Sequence, residues 1–224
     1  MKPTTSLFAL CLAAAPLAAS LGAQSVDATI DRAVAAWAKV KTVRGTFEQT
    51  VTNSLTGSSG SAHGAYAQER PNRLSIRFSA PDSSAIVSDG KAVWVYLPSS
   101  APGQVIKRPA TNQSAVPIDL TGQFLDSPRT KYDMTAAGTR TVDGHAARGL
   151  TLVPKKGATA GPFTKALVWV DDDDSLIREF EVNEPSGVTR HIRLTAVELN
   201  VPVERSEFTF AVPKGVKVVD QTKP

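Results

Sequence analysis

The densest array of potential ligand atoms in this chain is the run Asp171-Asp172-Asp173-Asp174. Four adjacent carboxylates suit a hard cation, but a helix–loop–helix calcium loop opening at Asp171 needs glycine at its sixth position and glutamate at its twelfth. Leu176 and Val182 stand there, so the run reads as the solvated tip of a hairpin. His63, His145 and His191 are far apart, and no pair has the spacing of metal ligands. Ser88-Asp89-Gly90-Lys91 matches a Ser-x-x-Lys nucleophile by letter only, because that motif belongs at a helix start and these residues sit at a turn between strand-like runs. Gly57-Ser58-Ser59-Gly60-Ser61 lacks the final glycine of a nucleophile elbow. No catalytic residue, metal or cofactor is expected, and the chain is not read as an enzyme.

The chain has 224 residues and a formal net charge of +4. Met1-Lys2, the apolar stretch Leu7–Leu17 and the small residues after it have the form of a secretory signal peptide. Cleavage is expected after Ala23, with Ser20 as the alternative, leaving residues 24–224 as a single domain in the periplasm. Cys11, the one cysteine, lies inside the signal, so the exported domain must stand on its own core without disulfides. Leu10 precedes Cys11, where a lipoprotein signal would place a small residue at the cleavage site. Lys and Arg are scattered, with no cluster interleaved with aromatics, which argues against nucleic acid.

From Ser25, a candidate cap, Val26, Ile30, Ala33, Val34, Trp37 and Val40 recur at helical spacing. Thereafter the period changes to two. Val43, Gly45, Phe47, Gln49 and Val51 form one face of a strand, and Leu74, Ile76 and Phe78 one face of another. Asp89-Gly90 and Asp143-Gly144 mark hairpins, since a type I′ turn needs positive φ at both central positions. Residues 110–128 differ. Polar at first, they place Pro117 ahead of Ile118, Leu120, Phe124 and Leu125, which predicts a short helix or two interrupted at Gly122. The whole reads as a mainly β domain of about ten or eleven antiparallel strands, curved into an open barrel, with one helix in front and a helical insert.

The strand Ala92–Leu97 carries apolar groups on both faces: Val93, Val95 and Leu97 alternate with Ala92, Trp94 and Tyr96. A strand with water on one side has no need of that, so a second layer or a cavity must lie against it. Folds of this kind enclose apolar ligands. The candidate lining residues are Trp37, Val43, Phe47, Leu74, Ile76, Trp94, Leu120, Phe124, Trp169 and Phe180.

Four tracts are similar to one known family. Phe47-Glu48-Gln49 resembles its first-strand Phe-x-Gln, Arg70-Pro71-Asn72 its Arg-Pro motif, and Val87–Pro98 its most recognisable stretch. Phe208-Thr209-Phe210 with Pro213–Val218 resembles its C-terminal signature. These tracts span nearly the whole exported chain in the family's order, that of the periplasmic lipoprotein carrier LolA. The resemblance implies an unclosed barrel under a helical lid, with a cavity for the acyl chains of lipoproteins. It implies cargo received from an ATP-driven inner-membrane exporter and passed to the outer membrane, to a receptor where one exists, by a monomer. It also implies that Arg70 is a lid latch bonding backbone groups of the closed lid. The alternative function is a lipid- or partner-sensing periplasmic regulatory module of the same fold.

Overall fold

The computed structural model describes residues 18–110, 119–158 and 163–222. Helix α1 (Ala18–Ala38) precedes six strands: β1 (Thr42–Asn53), β2 (Ser59–Glu69), β3 (Arg73–Ala80), β4 (Ala85–Asp89), β5 (Ala92–Tyr96) and β6 (Gln104–Pro109). The insert supplies α2 (Gly122–Leu125) and α3 (Pro128–Lys131). Next come β7 (Tyr132–Val142), β8 (His145–Pro154), β9 (Lys165–Asp171), β10 (Ile177–Asn183) and β11 (Val188–Leu199). A 3₁₀ turn at Arg205–Phe208 leads to β12 (Lys217–Asp220).

All twelve strands belong to one sheet, in the order β12-β6-β5-β4-β3-β2-β1-β11-β10-β9-β8-β7. The order is linear, so the sheet does not close on itself. The antiparallel strands number eleven. The twelfth, β12, runs parallel to β6, so this one strand departs from the antiparallel pattern expected. The sequence places the helix start at Ser25, whereas α1 begins at Ala18 and passes through Ser25. The Ala-rich segment before Ser25 is itself a good helix former, so no cap is needed there. The expected cleavage region, Ser20 to Ala23, lies in this first part of α1.

The two Asp-Gly turns differ. Asp143 and Gly144 have φ of 48° and 84°, as a type I′ turn requires. At the other, Gly90 alone is left-handed, at 93°. There the Asp89 carboxylate instead accepts from the N–H groups of Lys91 (2.7 Å) and Ala92 (2.8 Å). A side-chain acceptor has taken over the work of the second positive φ.

Register assigns each face. Gly45, Tyr66, Ile76, Ile86 and Val95 lie in one cross-strand row, and Phe47 with Leu194 in another; this is the inner face. Val26, Ile30, Ala33 and Trp37 of α1 pack against it with Val40 just beyond the helix, as do Phe124 and Leu125 of α2, in one continuous core. Opposite Gly45 the ladder slips and Ala196 takes φ of 47°. A bulge of this kind bends a strand and increases its twist, which helps the sheet wrap its cover.

The outer face has a separate cover. Ser75, Val87 and Trp94 share a row there, with Ser75 and Val87 fully buried. Phe208 and Phe210 close over them. The Phe210 ring stacks on Trp94 at 5.8 Å, and Arg77 Nη2 donates to the carbonyls of Glu207 (3.3 Å) and Thr209 (3.0 Å). Since Phe208 is 2% exposed, Phe208→Ala is expected to lower stability by about 3–5 kcal/mol. Urea unfolding checks this, and a loss under about 1 kcal/mol would mean that the C-terminal segment merely rests on the sheet.

Candidate functional site: a lidded apolar cavity

Between the inner face and its helical cover lies a cavity of about 550 Å³, within the usual ~300–1,000 Å³ of small-molecule sites. Phe47, Ile76, Phe78 and Ile86 line one side, and Phe180, Val182 and Ile192 another. Leu120 and Gln123 of the insert, with Phe163, contribute the cover. Phe47 and Phe78 meet edge to face at 5.1 Å.

The polar wall residues belong mostly to one end of the sheet, where the β3–β4, β5–β6 and β10–β11 connections lie. These groups satisfy one another. Arg190 Nη2 donates to Glu184 Oε1 at 3.2 Å. Asp82 accepts the hydroxyls of Ser84 and Ser99, and those donors hold its carboxyl below the usual carboxylate range. What faces the interior is therefore mainly hydrocarbon and aromatic surface. No serine–histidine pair or other nucleophilic arrangement is among the wall residues.

The structure places the ten sequence-read lining residues differently. Phe47, Ile76, Leu120 and Phe180 stand on the cavity wall. Phe124 is fully buried behind it, its ring 5.8 Å from Phe163 and 5.1 Å from Phe180. Leu74 is buried on the inner face but not on this wall, and Trp37 and Val43 line a second cavity of about 20 Å³, shared with Leu120.

Trp94 and Trp169 are corrections: both lie on the outer face. Trp94 stacks on Phe210, with Lys107 Nζ 5.1 Å above the ring. Trp169 forms a small cluster with Val142 and Ala147 under the Arg140 guanidinium, 4.0 Å away. Size and hydrophobicity suggested an interior position, but strand parity overrode them. Phe78, Ile86, Val182 and Ile192 went unassigned, although Phe78 alternates visibly with Leu74 and Ile76. Phe163 had no periodic signal, because it follows a loop. Pro117 and Ile118 lie outside the described residues. Gly122, read as an interruption, is instead the first residue of α2.

Arg70, in the β2–β3 turn, reaches the C-terminal end of α1. Its Nη1 donates to the carbonyls of Trp37 (2.8 Å) and Val40 (3.2 Å), and its guanidinium lies 5.3 Å from the Trp37 ring. Carbonyls at a helix C-terminus lack partners within the helix, and a guanidinium with five donors supplies them from the sheet. Midway along α1, Arg129 of α3 donates to Asp27 (3.0 Å) and Asp31 (3.2 Å). The helix is thus tied to the insert near its middle and to the sheet at its C-terminal end.

These features coincide with a family. Residues 38–211 match the family described as outer membrane lipoprotein carrier protein LolA. The chain belongs to the LolA family. It is 27% identical over 185 residues to the outer-membrane lipoprotein carrier protein of Proteus mirabilis, covering 82% of this chain and 84% of that one. With the protein of the same name from Sodalis glossinidius it shares 29% identity over 217 residues, 96% and 97% of the two chains. Among solved structures, an uncharacterized conserved protein of Thermus thermophilus has the same fold, with a TM-score of 0.54 at 14% identity over 87% and 98% of the chains. Among the described residues no helix is long and apolar enough to cross a membrane.

The aspartate run lies at the β9–β10 turn, away from the cavity. Asp171 Oδ2 accepts from Arg178 Nε at 2.9 Å, and His145 Nδ1 is also 2.9 Å away. Burial pushes the Asp171 carboxyl upward, but the Asp173 N–H and the Arg178 guanidinium outweigh it and hold the group below its ordinary range. A depressed folded-state value stabilises the fold above the unfolded-state value and loses that contribution as pH falls through the folded one. Asp171→Asn is therefore expected to destabilise the protein at neutral pH, with a deficit that shrinks below about pH 4. Thermal unfolding of both proteins across pH is the check; a deficit independent of pH would refute the ionic role.

Proposed function

We propose that this chain is exported to the periplasm, by cleavage of the N-terminal segment, and carries lipoproteins from the inner to the outer membrane with their acyl chains in the apolar cavity. The observation that carries this reading is a 550 Å³ apolar chamber under a cover that side-chain contacts hold to the sheet. Membership of a family named for lipoprotein carriage supports it. A donor of the kind the resemblance implies, an ATP-driven exporter in the inner membrane, would load the carrier, and an outer-membrane receptor, where present, would unload it.

The physical need is plain. Each buried CH₂ is worth about 0.8 kcal/mol, so leaving one long acyl chain in water costs on the order of ten kcal/mol. Such cargo does not cross an aqueous compartment unaided, yet a carrier that kept the full burial energy would never unload. Opening the cover on loading breaks the Arg70 contacts and exposes part of the core, which offsets some of that energy. Arg70 is accordingly the latch of the empty, closed form.

The mature protein purified from its own periplasm should bring acylated lipoprotein with it, identified by mass spectrometry of the bound lipid. Repeated failure with natively acylated cargo would sink the carrier reading. Ile76→Glu, which sets a carboxylate in an apolar wall, should reduce uptake of a fluorescent long-chain fatty acid by at least tenfold, since an unpaired charge there is penalised by several kcal/mol. Unchanged uptake would move the site elsewhere. Arg70→Leu should unfold cooperatively like the parent while transferring cargo abnormally; wild-type transfer kinetics would remove the latch.

A further inference from the structure

Arg70 stands on the sheet, and its α1 partners are backbone carbonyls. The insert, which supplies Leu120 and Gln123 to the cavity wall, enters the same cluster through a side chain, that of Asp119. Asp119 Oδ1 accepts the N–H of Gly122 at 2.7 Å. Its Oδ2 accepts the indole N–H of Trp37 at 3.3 Å and lies 3.9 Å from Arg70 Nε. One oxygen therefore organises the insert's own first helix, while the other faces two different elements. We propose that Asp119 is the insert's half of the latch, a positioning residue that ties the cavity cover to Trp37 of α1 and to Arg70 of the sheet. The inference rests on the reading of Arg70 and the insert as a closure over an acyl-binding cavity.

Three further observations support it. Gly122 is the one residue type that fits, because a Cβ there would stand 2.0 Å from Asp119 Oδ2 and 2.3 Å from Cγ. Any larger side chain displaces the carboxylate. Leu120, next in sequence, lines both the large cavity and the small one beside Trp37. Moving Asp119 thus moves a wall residue common to both. Thirdly, burial pushes the Asp119 carboxyl above its ordinary range despite the opposing pulls of Gly122, Gln68, Arg70 and Trp37. Its partners do not fully compensate for lost hydration, so opening, which rehydrates the group, recovers part of that cost. A fastening of this kind closes one geometry specifically without closing it tightly.

The competing role is purely local, a cap on α2. Asp119→Ser separates the two, since a serine hydroxyl still reaches the Gly122 N–H but is too short to meet Trp37 and Arg70. In the mature chain, stopped-flow entry of a fluorescent long-chain fatty acid should be roughly tenfold faster in Asp119→Ser than in the parent, the factor that about 1.4 kcal/mol of lost closed-state stability produces. Hydrogen exchange of the Trp37 indole proton should accelerate, with those of Trp94 and Trp169 unchanged. Asp119→Asn, near-isosteric, should shift both measurements in the same direction and decides the matter if the serine variant does not fold.

Parental entry rates and parental Trp37 exchange in a folded variant would overturn the proposal and leave Asp119 a cap. Faster entry in Arg70→Leu but not in either Asp119 variant would keep the latch and reject Asp119. Should neither the parent nor Arg70→Leu take up the probe, the carrier reading itself fails. The Trp37 exchange comparison would still decide whether Asp119 fastens the insert.

Discussion

The whole molecule follows from a sheet that is apolar on both faces and therefore needs two covers. Strand β5 states the problem in five residues, with Val93 and Val95 on one side and Trp94 and Tyr96 on the other. The C-terminal segment settles the outer face with Phe208 and Phe210, packed close and bonded through Arg77. The inner face is covered differently. There α1 and the insert bridge the sheet with a cavity left beneath them, so one cover completes a core while the other encloses a volume.

That difference is what makes transport physically sensible. Apolar burial is non-directional and scales with area, so a fully packed inner face would stabilise the fold and leave no room for cargo. An uncovered one would expose a patch prone to aggregation. Helices held by a few directional polar contacts avoid both outcomes. Arg70 bonds two carbonyls where α1 ends, and Arg129 joins the middle of α1 to the insert. Polar contacts at partly exposed sites contribute little each, which suits a cover that must separate from the sheet without unfolding it.

Much of the architecture was legible in the sequence because strand parity and turn chemistry are local. The period-two runs from Val43 onward, the Asp-Gly pairs and the helical stripe from Val26 to Val40 all appear as strands, turns and helix. The exceptions have local causes too. Asp89 replaces a backbone conformation with a side-chain acceptor, and α1 starts ahead of Ser25 because the segment before it forms helix readily. The cavity was legible in kind and only partly in detail. Phe47, Ile76, Leu120 and Phe180 line it, whereas Trp94 and Trp169 sit on the far side of the same sheet. Composition marks a tryptophan as buried without saying on which face.

The sequence by itself determined the elements, the apolar surplus of the sheet and the family whose motifs it carries, because these depend on residue type and spacing along the chain. Only the tertiary structure decided which face encloses the cavity, since a strand's two faces are distinguished by what packs on them and not by their own alternation. It likewise brought together Arg70, Trp37 and Asp119, which lie 33 and 82 residues apart along the chain. No short-range pattern links such positions. Their meeting is set by how the sheet curves beneath α1 and by where the insert crosses it.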